Sequence, residues 1–264
     1  MAPDDVMYFL HIPKTAGTST LHYFVDVLPE DSICPHRIWD ELMADPGADL
    51  ASWQVFVGHF GGLFPLWLRF MPRMVTVLRN PMLRTLSHIK HVRRDMLHPY
   101  HKIARNVTIA EYCAHPVLSR TVENFQARYL ASLAPALEIF KPRTPEEKQL
   151  NSMSVGTEEA LYALSRGPDL YRNAVAGLEA MDAFGLADHH PETLRLFAAA
   201  LDLPAPAQDY RDNRAPDPRA HGLELTPEDY AAMDAITEID RAVYDHALRL
   251  FQKACRRHRI EIGA

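Results

Sequence analysis

The chain has 264 residues, of which 47% are hydrophobic and 23% charged, and its formal net charge at pH 7 is −6. This is the composition of a soluble globular protein long enough for one domain with an ample core, and its acidity gives no support for general nucleic-acid binding. Three widely spaced cysteines, Cys34, Cys113 and Cys255, form neither a disulfide framework nor a Cys-x-x-Cys metal pair, and no apolar run approaches the ~20 residues that cross a bilayer.

The opening Met1-Ala2-Pro3-Asp4-Asp5 is acidic and lacks a signal-peptide pattern, so a cytoplasmic protein without a transmembrane anchor is expected. Residues 8–19 then read as a buried strand, a phosphate-gripping turn and a helix. Tyr8, Phe9, Leu10 and Ile12 supply the β-prone apolar run, and Pro13 ends it because it has no N–H for a ladder. Gly17 lets the backbone close on a ligand, and Thr18, Ser19 and Thr20 open a helix expected to begin near Leu21. A helix start presents unpaired N–H groups and the positive end of the dipole, a ready anion site. Lys14 adds a mobile point charge. A Walker loop places its lysine after the second glycine, whereas here Lys14 precedes Gly17-Thr18-Ser19.

Residues 53–60, Trp-Gln-Val-Phe-Val-Gly-His-Phe, read as a second strand that ends in Gly58-His59. Met74–Leu78 is a short continuous apolar run of the kind found in central parallel strands. Arg79 leaves that strand at its carboxyl end, Asn80 suits a helix cap, and Pro81 suits the first helical turn. Met82, Leu86, Ile89, Val92 and Met96 recur at helical spacing and predict an inward face. Arg84, Lys90, Arg93, Arg94, Lys102 and Arg105 stand against a single acid, Asp95, over residues 84–105. Such a basic stretch either recruits an anionic acceptor or forms a solvated helix face.

Beyond about residue 105 the pattern is mainly helical, with helices predicted at 108–133, 157–165, 191–201 and 226–258. Loops are marked by the prolines of 141–145 and 204–206. Residues 180–186 return a strand to the sheet, and Leu194, Phe197, Ala198 and Leu201 are expected to pack inward. The fold class expected is α/β: a P-loop-like parallel β-sheet flanked by helices, with a mainly helical C-terminal half. One domain over 1–264 is expected, its α/β core at 6–90.

His11-Ile12-Pro13-Lys14-Thr15-Ala16-Gly17-Thr18-Ser19 resembles the 5′-phosphosulfate loop of sulfotransferases that use 3′-phosphoadenosine 5′-phosphosulfate (PAPS). Residues 74–87, a strand followed by Arg79, Asn80-Pro81 and Ser87, resemble the second nucleotide-binding element of that family. The resemblance is closest to the heparan sulfate 2-O-sulfotransferase-like group with its bacterial relatives. It implies that the loop N–H groups of Thr15, Ala16, Gly17, Thr18 and Ser19 hold the 5′-phosphate, and that Arg79 and Ser87 hold the 3′-phosphate. It implies Lys14 at the bridging oxygen of the leaving group and His59 as the catalytic base, with His11 second in line as a residue that shapes the loop. A histidine suits proton abstraction because its pKa lies near neutrality. PAPS is then the co-substrate, no metal is needed, and the acceptor is a hydroxyl of a carbohydrate or glycoconjugate.

Later segments resemble the family less specifically. They are Asn124-Phe125-Gln126-Ala127-Arg128-Tyr129-Leu130, Phe184-Gly185-Leu186 and Glu238-Ile239-Asp240 through Tyr244. Ala187-Asp188 stands where many members carry Thr-Glu. Packing and capping explain these segments as well as a ligand role does. The rival readings are a P-loop-type kinase or NTPase and an inactive PAPS-binding protein. Trp39, Trp53 and Trp67 are candidates to stack on sugar rings.

Overall fold

A computed structural model of the chain describes residues 5–140, 169–210 and 225–263; the helix expected at 157–165 and the loop expected at 141–145 lie outside the described residues. The strands are β1 (Met7–Leu10), β2 (Val55–Gly58), β3 (Arg73–Leu78) and β4 (Ala183–Leu186). The helices, numbered over the described residues, begin with α1 (Gly17–Val27), α2 (Trp39–Ala44), α3 (Phe64–Leu68) and α4 (Pro81–Arg94). Next come α5 (His101–Ala104), α6 (Ile109–Ala114), α7 (Phe125–Ala131) and α8 (Ala134–Ile139). The chain continues through α9 (Leu170–Glu179), α10 (His190–Leu201), α11 (Pro227–Ile236) and α12 (Glu238–Arg257).

All strand pairs are parallel, in the order β2-β1-β3-β4. The expected α/β architecture with a parallel sheet flanked by helices is therefore present. The apolar runs alternate faces. Tyr8, Leu10, Phe56, Met74 and Leu78 pack toward α7, α9 and α12, through Phe125, Ala174, Leu178, Val243 and Phe251. Phe9, Val57, Val75 and Val77 pack the other way, against Tyr23 and Phe24 of α1 and Leu194, Phe197 and Leu201 of α10. Both faces are thus covered, as parallel sheets require. Burying a side chain such as Phe24 or Leu194 contributes about 1.5–3 kcal/mol. Gly177 permits the tight α9–α7 packing, because a Cβ there would lie 2.2 Å from the Leu130 carbonyl oxygen.

A third core lies beside the sheet. Leu86, Ile89 and Val92 of α4 meet Ile109, Tyr112 and Cys113 of α6 and Met233 of α11. The predicted inward face of α4 holds at those three positions and fails at Met96, which is 81% exposed. The helix ends at Arg94 because Asp95 leaves helical geometry and its side chain accepts the Leu97 N–H, the local competition typical of Asp.

Two long predicted helices are broken. The 108–133 segment is α6, a 3₁₀ turn at Leu118–Thr121 and α7. Pro116 forces His115 into extended geometry, as a residue before proline prefers. The 226–258 segment breaks at Thr237, whose hydroxyl bonds back to the Met233 carbonyl. Strand β4 and helix α10 lie where expected, and the four predicted α10 residues are buried.

Candidate active site

Connections from β1 to β2 and from β2 to β3 run to opposite sides of β1, so the strand order switches at β1. In open parallel sheets the crevice outside the carboxyl ends at such a point is the usual ligand site. His11, His59 and Arg79 each follow the last residue of a strand there. The sheet therefore delivers three of the singled-out side chains to one edge.

Residues 13–16 form a tight loop with Lys14 at φ 74° and Ala16 at φ 68°, left-handed geometry that costs a non-glycine residue roughly 1–3 kcal/mol. The cost is offset by fixed contacts. Thr15 is fully buried and its hydroxyl donates to the Ile12 carbonyl at 2.8 Å, so the hydroxyl is committed within the loop. Helix α1 starts at Gly17, four residues before the expected Leu21, because Ala16 acts as its N-cap. Both the N–H and the hydroxyl of Thr20 donate to the Ala16 carbonyl. Thr18 is exposed and Ser19 buried. No side chain caps the helix, which leaves its first N–H groups without an intrahelical acceptor by position.

Gly17 rests on the ring of His11. A Cβ at Gly17 would fall 1.7 Å from His11 Nε2, and that ring cannot swing away, being stacked on Phe9 and 4.2 Å, centroid to centroid, from the ring of His59. His59 Nδ1 lies 2.8 Å from the His11 carbonyl oxygen. A carbonyl can only accept, so Nδ1 carries the proton and Nε2 is the free acceptor. The His59 N–H is held by the Arg37 carbonyl at 2.7 Å. Burial pushes the His59 pKa below the ordinary histidine value; the bond to His11 opposes this and Lys14 adds to it. The His11 pKa is lowered further, by burial first and then by His59, Lys14 and Arg37. Both rings are thus neutral at pH 7.

The two sequence motifs meet. Arg79 NH1 donates to the Lys14 carbonyl at 3.2 Å. Burial lowers the Lys14 pKa, and Arg94, Arg79 and Arg84 lower it further; among the described residues the charges that act on it are positive. Such a cluster of like charges is stabilised by an anion between them. Ser87 is partly buried on α4. By helical spacing it shares a face with Lys90, His91 and Arg94, and it makes no hydrogen bond to the loop among the described residues.

The basic stretch is split rather than continuous. Arg84 points inward and is fully buried. Its Nε donates to the Pro13 carbonyl, its NH1 to the Thr121 carbonyl at 2.9 Å, and its guanidinium lies 3.8 Å from the centre of the Phe125 ring. Arg93 is spent on the carbonyls of Ala104 and Val107. Lys90 and Arg94 remain toward the Lys14 crevice, and Lys102 and Arg105 are exposed. Two tryptophans are packed within the protein, Trp39 against Phe60, Phe64 and Trp67 and Trp53 against His36 and Phe56, while Trp67 is exposed.

Sequence reasoning did not single out Arg84 or Gln126 as parts of the site. Gln126 accepts the Arg79 N–H at 2.9 Å and donates to the Arg79 carbonyl at 2.8 Å. Asp188 accepts from the Asn80 N–H and the Tyr244 hydroxyl, beside Arg79.

No family model matches the chain. It is similar to the heparan-sulfate 6-O-sulfotransferase 1 of Cricetulus griseus, 25% identical over 300 aligned residues that take in 96% of this chain and 69% of that protein. The Mus musculus protein of the same name is likewise 25% identical, with 67% of its length covered. This distant likeness spans almost the whole chain.

Proposed function

We propose that the protein transfers a sulfuryl group from PAPS to a hydroxyl of a carbohydrate or glycoconjugate acceptor. The observation that carries this reading is the contact between Arg79 and Lys14, which joins the two PAPS-type motifs at the carboxyl ends of β1 and β3, with His59 alongside. The likeness to two curated heparan-sulfate sulfotransferases supports it independently. The quoted motifs resemble the 2-O group whereas the aligned relatives are 6-O enzymes, so the reading rests on what the two share.

On this reading the first turn of α1, including the N–H groups of Gly17, Thr18 and Ser19, holds the 5′-phosphate as in a P-loop, with Thr15 and Ala16 shaping its approach. Arg79 grips the 3′-phosphate as a fork, and Ser87 adds a hydroxyl. His59 Nε2 takes the proton of the acceptor hydroxyl as that oxygen attacks sulfur in line. The bond from sulfur to the bridging oxygen breaks, and adenosine 3′,5′-bisphosphate leaves. Lys14 stabilises the negative charge that grows on that oxygen. Positioning and charge neutralisation supply the acceleration, as in phosphoryl transfer. The acceptor cleft lies along the half-exposed face of α4, where Lys90, His91 and Arg94 favour an anionic acceptor.

The test is calorimetric binding of adenosine 3′,5′-bisphosphate, with ADP and ATP as comparators and Arg79→Ala as control. Tight binding that prefers the 3′-phosphate and weakens in the control supports the reading. Equal or tighter binding of ADP and ATP would return the site to the kinase or NTPase class. Bisphosphate preference without sulfate transfer to any acceptor in a glycan panel would favour an inactive nucleotide-binding protein.

A further inference from the structure

Arg79 sits in a joint between a strand and a helix, where the chain turns from β3 to α4. A guanidinium on such a joint is only as well aimed as its backbone. Here that backbone is gripped on both sides by one side chain. Gln126 Oε1 accepts the Arg79 N–H at 2.9 Å while its Nε2 donates to the Arg79 carbonyl at 2.8 Å, across 47 residues of sequence. Gln126 is 2% exposed, so both of its polar atoms are committed inside the protein.

The start of α7, which carries Gln126, is itself locked. Asp240 Oδ1 accepts from the Ala127 N–H at 2.7 Å and Oδ2 from the Gln126 N–H. In return Asn124 Oδ1 accepts from the N–H groups of Ile239 and Asp240 at the start of α12. Each helix thus caps the other's orphan N–H groups. Asn124 holds φ 42° to do so, and Asp240 is 1% exposed.

We propose that Gln126 is a positioning residue for the donor nucleotide: held by the Asn124–Asp240 double cap, it fixes the main chain of Arg79 so that the guanidinium meets the 3′-phosphate. This rests on the reading of Arg79 as the 3′-phosphate residue. It assigns a role to two late segments that sequence alone left between packing and ligand binding. A polar clamp with both ends satisfied is rigid, because opening either bond strands a buried donor or acceptor. Among the described residues Gln126 makes no hydrogen bond to the 5′-phosphate loop and reaches it only through the single Arg79–Lys14 contact, so the clamp acts chiefly on the 3′-phosphate.

The experiment measures binding of adenosine 3′,5′-bisphosphate and adenosine 5′-monophosphate to the full chain by calorimetry. The ratio of the two affinities reads the 3′-phosphate alone. Gln126→Met, which keeps the volume and loses both bonds, should lower bisphosphate affinity about tenfold or more. Monophosphate affinity should stay within about twofold to threefold. Combined with Arg79→Ala, Gln126→Met should cost nothing further in the ratio, because the two act as a unit. Where Gln126→Met does not fold, Gln126→Glu retains the acceptor for the Arg79 N–H and should lower the ratio through loss of the donor. An unchanged ratio, or equal weakening of both nucleotides, overturns the clamp. A wild-type protein that does not prefer the bisphosphate overturns the donor-site reading itself, and the clamp with it.

Discussion

The Nδ1 of His59 lies 2.8 Å from the carbonyl oxygen of His11, and this single bond decides which nitrogen is free to take a proton. It places the proton on Nδ1 and leaves Nε2 as the free acceptor, the nitrogen that the proposed mechanism uses as base. Burial and Lys14 hold the His59 pKa below the ordinary value, against the opposing effect of that bond and of Glu41. The active form of a base is the unprotonated one, so lowering the pKa extends activity toward acid. The acid limb of the log kcat/KM–pH profile, which reports the free enzyme, is therefore expected below about 6.5, the unperturbed histidine value. His59→Ala is expected to lower kcat about 10²–10⁴-fold, with bisphosphate binding within a few-fold of wild type. A variant that turns over labelled PAPS nearly as fast as wild type would remove His59 from the mechanism.

Gly17 is required by contact and not by its φ. Its Cα faces the His11 ring, where an added Cβ would fall 1.7 Å from Nε2, and the ring is held by Phe9 and His59. Gly17→Ala must displace either the loop or the base. It is expected to weaken bisphosphate binding by about tenfold or more and to lower kcat together with it. Shrinking the obstacle in the double variant His11→Ala/Gly17→Ala should recover part of the binding loss. Calorimetry on the three proteins checks this, and a Gly17→Ala protein with wild-type affinity would contradict the packing.

Lys14 is surrounded by Arg94, Arg79 and Arg84, and burial lowers its pKa. Its charge is compensated when a polyanion binds. Lys14→Ala is expected to lower kcat about 10²–10³-fold, equivalent to about 3–4 kcal/mol of transition-state stabilisation, with a smaller effect on bisphosphate binding. Steady-state kinetics and calorimetry on the one variant separate the two effects.

The local parts of this fold were legible in the sequence, and its long-range parts were not. Strands β1 and β3 and the helices after them announce themselves through apolar runs, Pro13, Pro81 and the cap Asn80, whose Oδ1 does accept the Leu83 N–H. The start of α1 was misjudged by four residues because Thr18-Ser19-Thr20 looks like a cap, while the actual N-cap is Ala16 in left-handed geometry. The inward reading of Met96 extends a helical period past Asp95, where the side chain bonds to the backbone instead. Arg84 looked like one more surface cation in a basic stretch. Its partners Pro13 and Thr121 lie 71 and 37 residues away, and no periodicity signals them. The same holds for Gln126 and Asp240, whose types fit a cap or a surface position equally well until the fold supplies their partners.

Arg84 links the loop after β1 to the helical half of the chain. Burial pushes its pKa down to about 10, with Asp240 acting to raise it, so it stays charged. Each hydrogen bond to a charged group contributes about 1.5–3 kcal/mol, set against the cost of burying the guanidinium. Arg84→Ala is expected to lose on the order of 3 kcal/mol in denaturant unfolding. Arg84→Lys should recover little, because an ammonium cannot reach Pro13 and Thr121 together while lying flat on Phe125. Full stability in Arg84→Lys would mean that charge alone is what the site needs.

Three largely buried histidines make the protein sensitive to acid, and the partly exposed His91, whose pKa is also lowered, adds in the same sense. His11, His59 and His88 all have lowered pKa values, burial being the largest cause in each; both ring nitrogens of His88 are buried without a hydrogen-bond partner among the described residues, and Arg84, His98, His91 and Lys14 add to its shift. A lowered folded-state pKa means that below about 6.5 the unfolded chain binds protons that the folded chain refuses. Stability is therefore highest above that value and falls as the pH drops through it, by up to about 1.4 kcal/mol per pH unit for each such histidine. Asp240 acts in the opposite sense, since burial pushes its carboxyl up to about 6 and the folded chain binds that proton first. One carboxyl offsets only part of three imidazoles, so unfolding free energy is expected to be lower at pH 5.5 than at pH 7.5. Replacing His88 with Gln removes one of the three titrating groups and should shrink the difference. Urea unfolding of both proteins at the two pH values measures it, and an identical pH dependence would show that His88 is not held neutral.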